Sequence, residues 1–460
     1  MQGLPRSSSI GVVLLCILAS TPHGFSNMRT YSAAKIVLSP PDSVSRVNDN
    51  LAISVLLENS PRFIGFWITI QYDTLVLDAL TANIALPWGG SYVKLDRDLG
   101  TVDLSSVNTQ QPLEGNFLLA TIEFHSKANG NSTLEIKDTE LLDAEINPIP
   151  HVTQNGRIEV VGPLSITIKD LPDVFYIDQN ATICGNATVE ETSANALIGI
   201  EIRSQGILLS TRVVTSGVVP YESLSSIRIG RFFPSDENGS FVDTVRAGNQ
   251  IYFTTYVHNP ADVTAPILVV INLYDRYNRP LGFTLLQSIL YPNASLMYIA
   301  PINVDLDASN GTAIAYVNLF SDWPHNRGIP YDVEQSAVIQ ITDGLGGKLL
   351  PDLPTGGSCL ANYNLTFRPP ANQGIGNYSV YVTAHYKVQD AYAEATSPVE
   401  LLGDFNHDGK VGPYEFARIS KAYGSTPISP RWLPEADFDK NVQIGPGDFA
   451  VFAILYGRHV

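Results

Sequence analysis

From Ala33 to Leu402 the chain is written almost entirely in short alternating runs. Val, Ile, Thr and Tyr recur at every second position, and Gly, Pro, Asn and Asp punctuate them. Period-two patterning turns one face of each run toward a core and the other toward solvent. Helical periodicity is scarce before residue 413. The chain is therefore predicted to be mainly β, a multidomain string of β-sandwiches. Its 460 residues exceed one ordinary domain, and about three or four are expected. Hydrophobic residues make up 44% and charged residues 16%, a globular balance. The formal net charge of −17 argues against nucleic acid as a partner, because phosphate binding needs a basic face.

The first block, residues 34–162, reads as one complete sandwich. A long central strand carries a Tyr-Asp turn in "QYD" (Gln71–Asp73). A later strand ends in "ATIEF" (Ala120–Phe124), and an Asn-Gly turn opens the closing strand "NGRIEV" (Asn155–Val160). In these features the block resembles a cohesin domain, the jelly-roll-like sandwich of cellulosome scaffolds. The resemblance implies dockerin-bearing partners. Trp67 falls in the apolar run "FIGFWITI" and is expected in the core. Trp88 ("LPWGG") and Trp323 ("SDWPHN") read as loop residues. With Trp432 these are the candidates for stacking on sugar.

Residues 163–220 supply about half of an immunoglobulin-like sandwich, and half a sandwich cannot cover its own core. The missing strands appear in residues 345–401. Residues 221–344 between them hold enough strands for a sandwich of their own. The expectation is an immunoglobulin-like domain split by an inserted immunoglobulin-like one, because insertion at a surface loop costs little closure entropy. Two or three sandwiches in series is the plain alternative. Cys184 and Cys359 fall on either side of the insertion, as one disulfide or as two buried thiols.

The last sixth of the chain repeats an acidic loop: "DFNHDGKVGPYE" (Asp404–Glu415) and "DFDKNVQIGPGD" (Asp437–Asp448). Asp404, Asn406, Asp408, Lys410 (through its carbonyl) and Glu415 take positions 1, 3, 5, 7 and 12 of a twelve-residue calcium loop. Asp437, Asp439, Asn441, Gln443 (carbonyl) and Asp448 take the same places in the second. Two Ca2+ sites are expected. Position 6 normally needs positive φ; it is Gly409 in the first loop and Val442 in the second, so the second is expected to bind more weakly. Val411 and Ile444 occupy position 8 and are expected to pair in a short β-bridge. Both loops exit into helices bracketed by Pro and Gly, Pro413…Gly424 and Pro446…Gly457. The stripes Phe416, Ile419, Tyr423 and Phe449, Phe452, Tyr456 are expected to form the core between them.

Two such loop–helix units, with no helix entering the first, resemble a type I dockerin with paired F-hand calcium loops over residues 402–460. The resemblance implies a small all-α calcium-binding domain and cohesin-bearing partners. With both modules in one chain, head-to-tail self-association is also implied. Two departures stand out. Position 12 of the first loop is Glu415 where dockerins usually have Asp. Positions 10 and 11, often small hydroxyl residues that set partner choice, are Pro413-Tyr414 and Pro446-Gly447.

The apolar run Ile10–Ala19 after Arg6 reads as a signal peptide, residues 1–27, so a secreted or cell-surface protein is expected. No later apolar run reaches membrane length, and no anchor beyond that peptide is expected. Sequons at Asn131, Asn180, Asn186, Asn238, Asn293, Asn310, Asn364 and Asn377 fit a glycosylating compartment. No nucleophile elbow, His-Glu-x-x-His, Walker loop or dinucleotide Gly pattern occurs, and the chain is expected to be non-catalytic. The alternative is a carbohydrate-binding or polysaccharide-degrading component such as a glycoside hydrolase, since dockerins often accompany such enzymes.

Overall fold

A computed structural model describes residues 33–86, 88–108, 111–219, 227–346, 352, 359, 361–370 and 374–460. The expected signal peptide, residues 1–27, lies outside these. Mainly β architecture runs from Ala34 to Glu400.

The first two sheets share one core. The five-stranded sheet runs in the order His151–Gln154, Ala34–Ser39, Asn50–Phe63, Leu113–Ser126, Leu77–Ile84. The six-stranded sheet runs Asp42–Arg46, Gly156–Val161, Gly130–Leu142, Gly65–Gln71, Thr101–Val107, Gly90–Asp96. Both ends of this unit cross between sheets. Ala34–Ser39 and Asp42–Arg46 lie in different sheets, and so do His151–Gln154 and Gly156–Val161, each pairing in parallel with the other end. Ile36, Val55, Phe63, Ile68, Leu104, Phe124 and Ile158 fill the space between.

Strand parity corrects the expectation for Trp67. Phe66, Ile68 and Ile70 are buried, so Trp67 faces outward and is 49% exposed. The run is apolar along its length, but successive side chains of a strand take opposite faces. Trp88 goes the other way and packs inward, its ring 5.4 Å from that of Phe63 and 6.2 Å from that of Phe66.

The next two sheets draw strands from both sides of residue 221. Ala181–Val189 pairs with Leu164–Asp170 and with Tyr363–Phe367. The facing sheet runs Phe175–Tyr176, Gln389–Glu400, Gly376–Tyr386, Leu197–Ser204, Ile207–Thr215. Phe175, Ile183, Ile200, Tyr363, Phe367 and Tyr378 share the core, and Cys184 is joined to Cys359 by a disulfide. The strands between these halves form a third pair of sheets. One runs Arg228–Ser235, Gln250–His258, Ser295–Asn303. The other runs Thr244–Arg246, Gln335–Thr342, Gly311–Phe320, Ala265–Tyr274, Pro280–Leu290, again around a core of its own.

Side chains lock these units together. The outward N–H and carbonyl of Thr211, on an edge strand, meet the buried amide of Asn272 at 3.4 and 2.7 Å. Arg212 grips both oxygens of Glu334 at 2.7 Å. An edge strand so covered cannot recruit another chain.

Beyond Glu400 the regular elements among the described residues are helical: α1 (Pro413–Ala422), a short 3-10 turn (Pro434–Ala436) and α2 (Pro446–Leu455). Ile419 and Phe452 are buried between the helices as expected, but Phe416, Tyr423 and Tyr456 are about half exposed. Loop residues Val411, Leu433, Phe438 and Ile444, with Leu401 and Leu402, supply the rest of this core instead.

Candidate metal centre

The two acidic loops sit side by side. Their position-2 rings, Phe405 and Phe438, stack with centroids 6.5 Å apart, and Phe405 also stacks on Phe452 of α2. Each loop curls because its first Asp accepts backbone N–H groups four and five residues on. Asp404 takes those of Asp408 (3.2 Å) and Gly409 (2.7 Å). Asp437 takes those of Asn441 (3.1 Å) and Val442 (3.1 Å). The position-6 residues are both left-handed, Gly409 at φ 82° and Val442 at φ 68°.

At position 12 each carboxylate holds the start of its helix. Glu415 Oε2 accepts the N–H of Gly412 at 2.8 Å, and Asp448 Oδ2 that of Gly445 at 2.7 Å. The positive end of the helix dipole favours a carboxylate there. The second oxygens differ. Asp448 Oδ1 accepts N–H groups from Phe438 (2.7 Å) and Asp439 (3.3 Å). Glu415 is 2% exposed, and its Oε1 is buried with no hydrogen-bond partner among the described residues.

An orphaned, buried carboxylate oxygen costs several times what an ordinary hydrogen bond contributes. It fits a hard cation held by Asp404, Asn406, Asp408, the Lys410 carbonyl and Glu415. In the second loop, Asp437, Asp439 and Asp448 bring carboxylate oxygens within 4.8 Å of one another. Asn441 and the Gln443 carbonyl would complete its oxygen set around a cation. Lys410 and Gln443 are exposed, as suits residues that offer only their carbonyls.

The loops are closed reciprocally, and not by the expected bridge between Val411 and Ile444. Val411 exchanges backbone hydrogen bonds with Gly457 and Arg458, which follow α2 (2.8 and 2.9 Å). Ile444 exchanges them with Gly424 and Ser425, which follow α1 (2.8 and 3.0 Å). Stacked phenylalanines between the loops keep the two position-8 residues in the core and leave their backbones to the opposite helix end.

A buried charge cluster beside this region carries no sequence signal. Asp178, 1% exposed, meets Arg279, Arg368 and Arg458, which lie 101, 190 and 280 residues further along the chain. Local spacing cannot reveal contacts at such separations.

The sugar-stacking candidates are rearranged. Trp88 is committed to the core, and Trp323 packs at the interface between the split and intervening sheets beneath the Arg203 guanidinium, 4.9 Å away. Trp432 packs against the core around the two loops. Of the sequon asparagines, Asn180 and Asn186 are half-buried and the other six exposed. No helix among the described residues is long and apolar enough to cross a membrane.

No family model matches the sequence, and no curated protein matches it. Solved structures similar to about a quarter of the chain are cohesins. A non-cellulosomal cohesin from the archaeon Archaeoglobus fulgidus is 14% identical over 28% of this chain and 93% of its own, with a TM-score of 0.25. A type I cohesin–dockerin complex from Clostridium thermocellum gives 13%, 28%, 93% and 0.26. A type I cohesin from Pseudobacteroides cellulosolvens gives 18%, 28%, 92% and 0.25.

Proposed function

We propose that this is an exported, non-catalytic modular protein that joins other proteins in a calcium-dependent assembly of the cohesin–dockerin kind. The observation that carries the reading is the pair of reciprocally closed acidic loops, with the unpartnered Glu415 Oε1 in the first. In this reading residues 34–162 are a cohesin-like receptor and residues 402–460 a dockerin-like plug. Residues 163–220 with 345–401, and the inserted 221–344, are immunoglobulin-like spacers between them. Calcium would neutralise the converging carboxylates and relieve the buried charge of Asp404 and Glu415. The chain's own residues do the rest: Asp404 and Asp437 curl the loops, and Glu415 and Asp448 tie them to their helices.

Calorimetric titration of the mature chain should show two calcium sites of unequal affinity, emptied by chelation. Sedimentation with a dockerin-bearing or a cohesin-bearing protein should then show a complex that chelation dissolves. Absence of calcium uptake, or of any calcium-dependent complex including self-association, removes the proposal.

Carbohydrate binding is the second reading, and one observation favours it. Trp67 and Tyr92 both pair in register with Ser105, on strands either side of it. They are 49% and 57% exposed, so two aromatic rings stand on one sheet face about two strand spacings, ~10 Å, apart. Glu140, also in register with Trp67, adds a carboxylate. Retention on insoluble polysaccharide that survives chelation and is lost in Trp67→Ala would support it.

A further inference from the structure

Residues 457–460 run alongside the first acidic loop. Beyond the two bonds between Val411 and Gly457–Arg458, the Val460 N–H donates to Gly409 O at 3.1 Å, and Lys410 and His459 form an antiparallel bridge. Loop positions 6 to 8, which include the Lys410 carbonyl, are thereby stitched to the segment that carries Arg458.

The side chain of Arg458 leaves that segment and reaches Asp178 Oδ2 at 3.3 Å. Asp178 belongs to the sandwich body. Arg279 grips both of its oxygens at 3.0 Å, from the turn between Ala265–Tyr274 and Pro280–Leu290. Arg368, next to strand Tyr363–Phe367, reaches Oδ1 at 3.2 Å and the Asp178 carbonyl at 3.1 Å. Three parts of the chain meet on one buried carboxylate.

The three arms are not equivalent. A buried carboxylate persists only when paired. Arg279 and Arg368 already pair it, from side chains 16% and 2% exposed. Arg458 makes the longest of these contacts and is 20% exposed. Arg368 is also paired with Asp352. The Arg458 arm is the one that can let go without stranding Asp178.

We propose that calcium in the first loop latches residues 402–460 onto the sandwich body through Arg458 and Asp178, an inference that rests on the calcium reading above. With the loop filled, positions 6 to 8 are fixed, residues 457–460 are held along them, and Arg458 is aimed at Asp178. With the loop empty, the buried Oε1 of Glu415 is left without a partner, the stitching loses its anchor, and the arm releases. The module then stays attached through Leu401–Gly403, where Gly403 has φ 86°, and through Tyr176 packed against its core. Calcium so sets the angle at which the helices are presented, besides folding the loops.

Small-angle X-ray scattering of the mature chain, with calcium and with chelator, reads the latch, and calorimetry on the same samples reads calcium uptake. Chelation should broaden the distance distribution. Arg458→Ala should show the broadened form even in saturating calcium, and Arg458→Lys an intermediate one. Because coupling is reciprocal, Arg458→Ala should also weaken the tighter calcium site, by about fivefold or more. Uptake of calcium with an unchanged distance distribution overturns the latch alone. So does an Arg458→Ala chain that keeps the wild-type response. No calcium uptake at all removes the latch together with the calcium reading.

Discussion

Val442 donates its backbone N–H to Asp437 Oδ2 at 3.1 Å from a left-handed φ of 68°. Gly409 makes the equivalent bond to Asp404 at 2.7 Å from φ 82°. The loop thus imposes on a β-branched residue a conformation that suits glycine. Holding it there costs on the order of 1–3 kcal/mol. Val442→Gly removes that strain and, on the calcium reading proposed above, should tighten calcium binding by the second loop by about one to two decades. Some gain is returned because glycine raises the entropy of the unfolded loop. An unchanged second step in a calorimetric titration would show that the strain is absorbed elsewhere.

The contrast between Glu415 and Asp448 predicts a crossing of stabilities. Glu415 Oε1 is buried and unpartnered, whereas Asp448 Oδ1 holds two backbone N–H groups. Without calcium, Glu415→Gln should therefore stabilise residues 402–460, since an unpaired buried polar group costs about 1–3 kcal/mol and a charged one more. With calcium the order should reverse, because an amide gives one neutral oxygen where the carboxylate gives two. Melting followed by the helical circular-dichroism signal, with and without calcium, checks both halves. Destabilisation of equal size under both conditions would mean that Glu415 is only a helix cap.

The mainly β architecture was legible because alternation is a direct consequence of strand geometry, and Pro413 and Pro446 marked the starts of both helices. The left-handed backbone at Val442 was legible too, since loop curvature dictates φ at that position whatever residue occupies it. Trp67 was misread because composition says that a run is apolar, while parity says which side each residue takes. Val411 and Ile444 were wrongly paired with each other, because local spacing does not specify which helix end closes which loop. The arginines around Asp178 were invisible for a simpler reason. They are brought together only by the packing of three units, and no local motif joins them.

Trp67 and Trp88 are opposites in a test: its strand turns Trp67 outward, while Trp88, on a loop, packs against Phe63 and Phe66. Trp88→Ala removes ring contacts with Phe63 and Phe66 from a half-buried site and should cost about 1–3 kcal/mol. Trp67→Ala touches an exposed face and should change stability by less than about 0.5 kcal/mol. Chemical denaturation followed at the β-sheet signal separates them. Iodide should also quench the Trp67 fluorescence much more than that of Trp88. Similar quenching of both would contradict the outward placement of Trp67.

The contact between Arg212 and Glu334 ties strand Ile207–Thr215 to the third pair of sheets. Both side chains are 12% exposed, and the guanidinium also lies 3.5 Å from the centroid of the Tyr316 ring. Burial pushes the Glu334 carboxyl above its usual range, against the hydrogen bonds from Arg212 that lower it. Arg212→Met would leave that carboxylate buried without its cation, at a cost of about 3–5 kcal/mol. The sign of the pH dependence follows. An acid whose folded pKa is raised binds its proton more tightly in the folded state, so it favours folding as pH falls through that raised value. The deficit of Arg212→Met at neutral pH should therefore shrink on acidification, as Glu334 takes up a proton inside the fold. In the double variant Arg212→Met, Glu334→Leu no charge is buried, and the loss should be far smaller than in Arg212→Met and free of this pH dependence. Unfolding of all three chains in denaturant at neutral and mildly acidic pH reads each term. A deficit in Arg212→Met that ignores pH would mean that water or another cation reaches Glu334 once the arginine is gone.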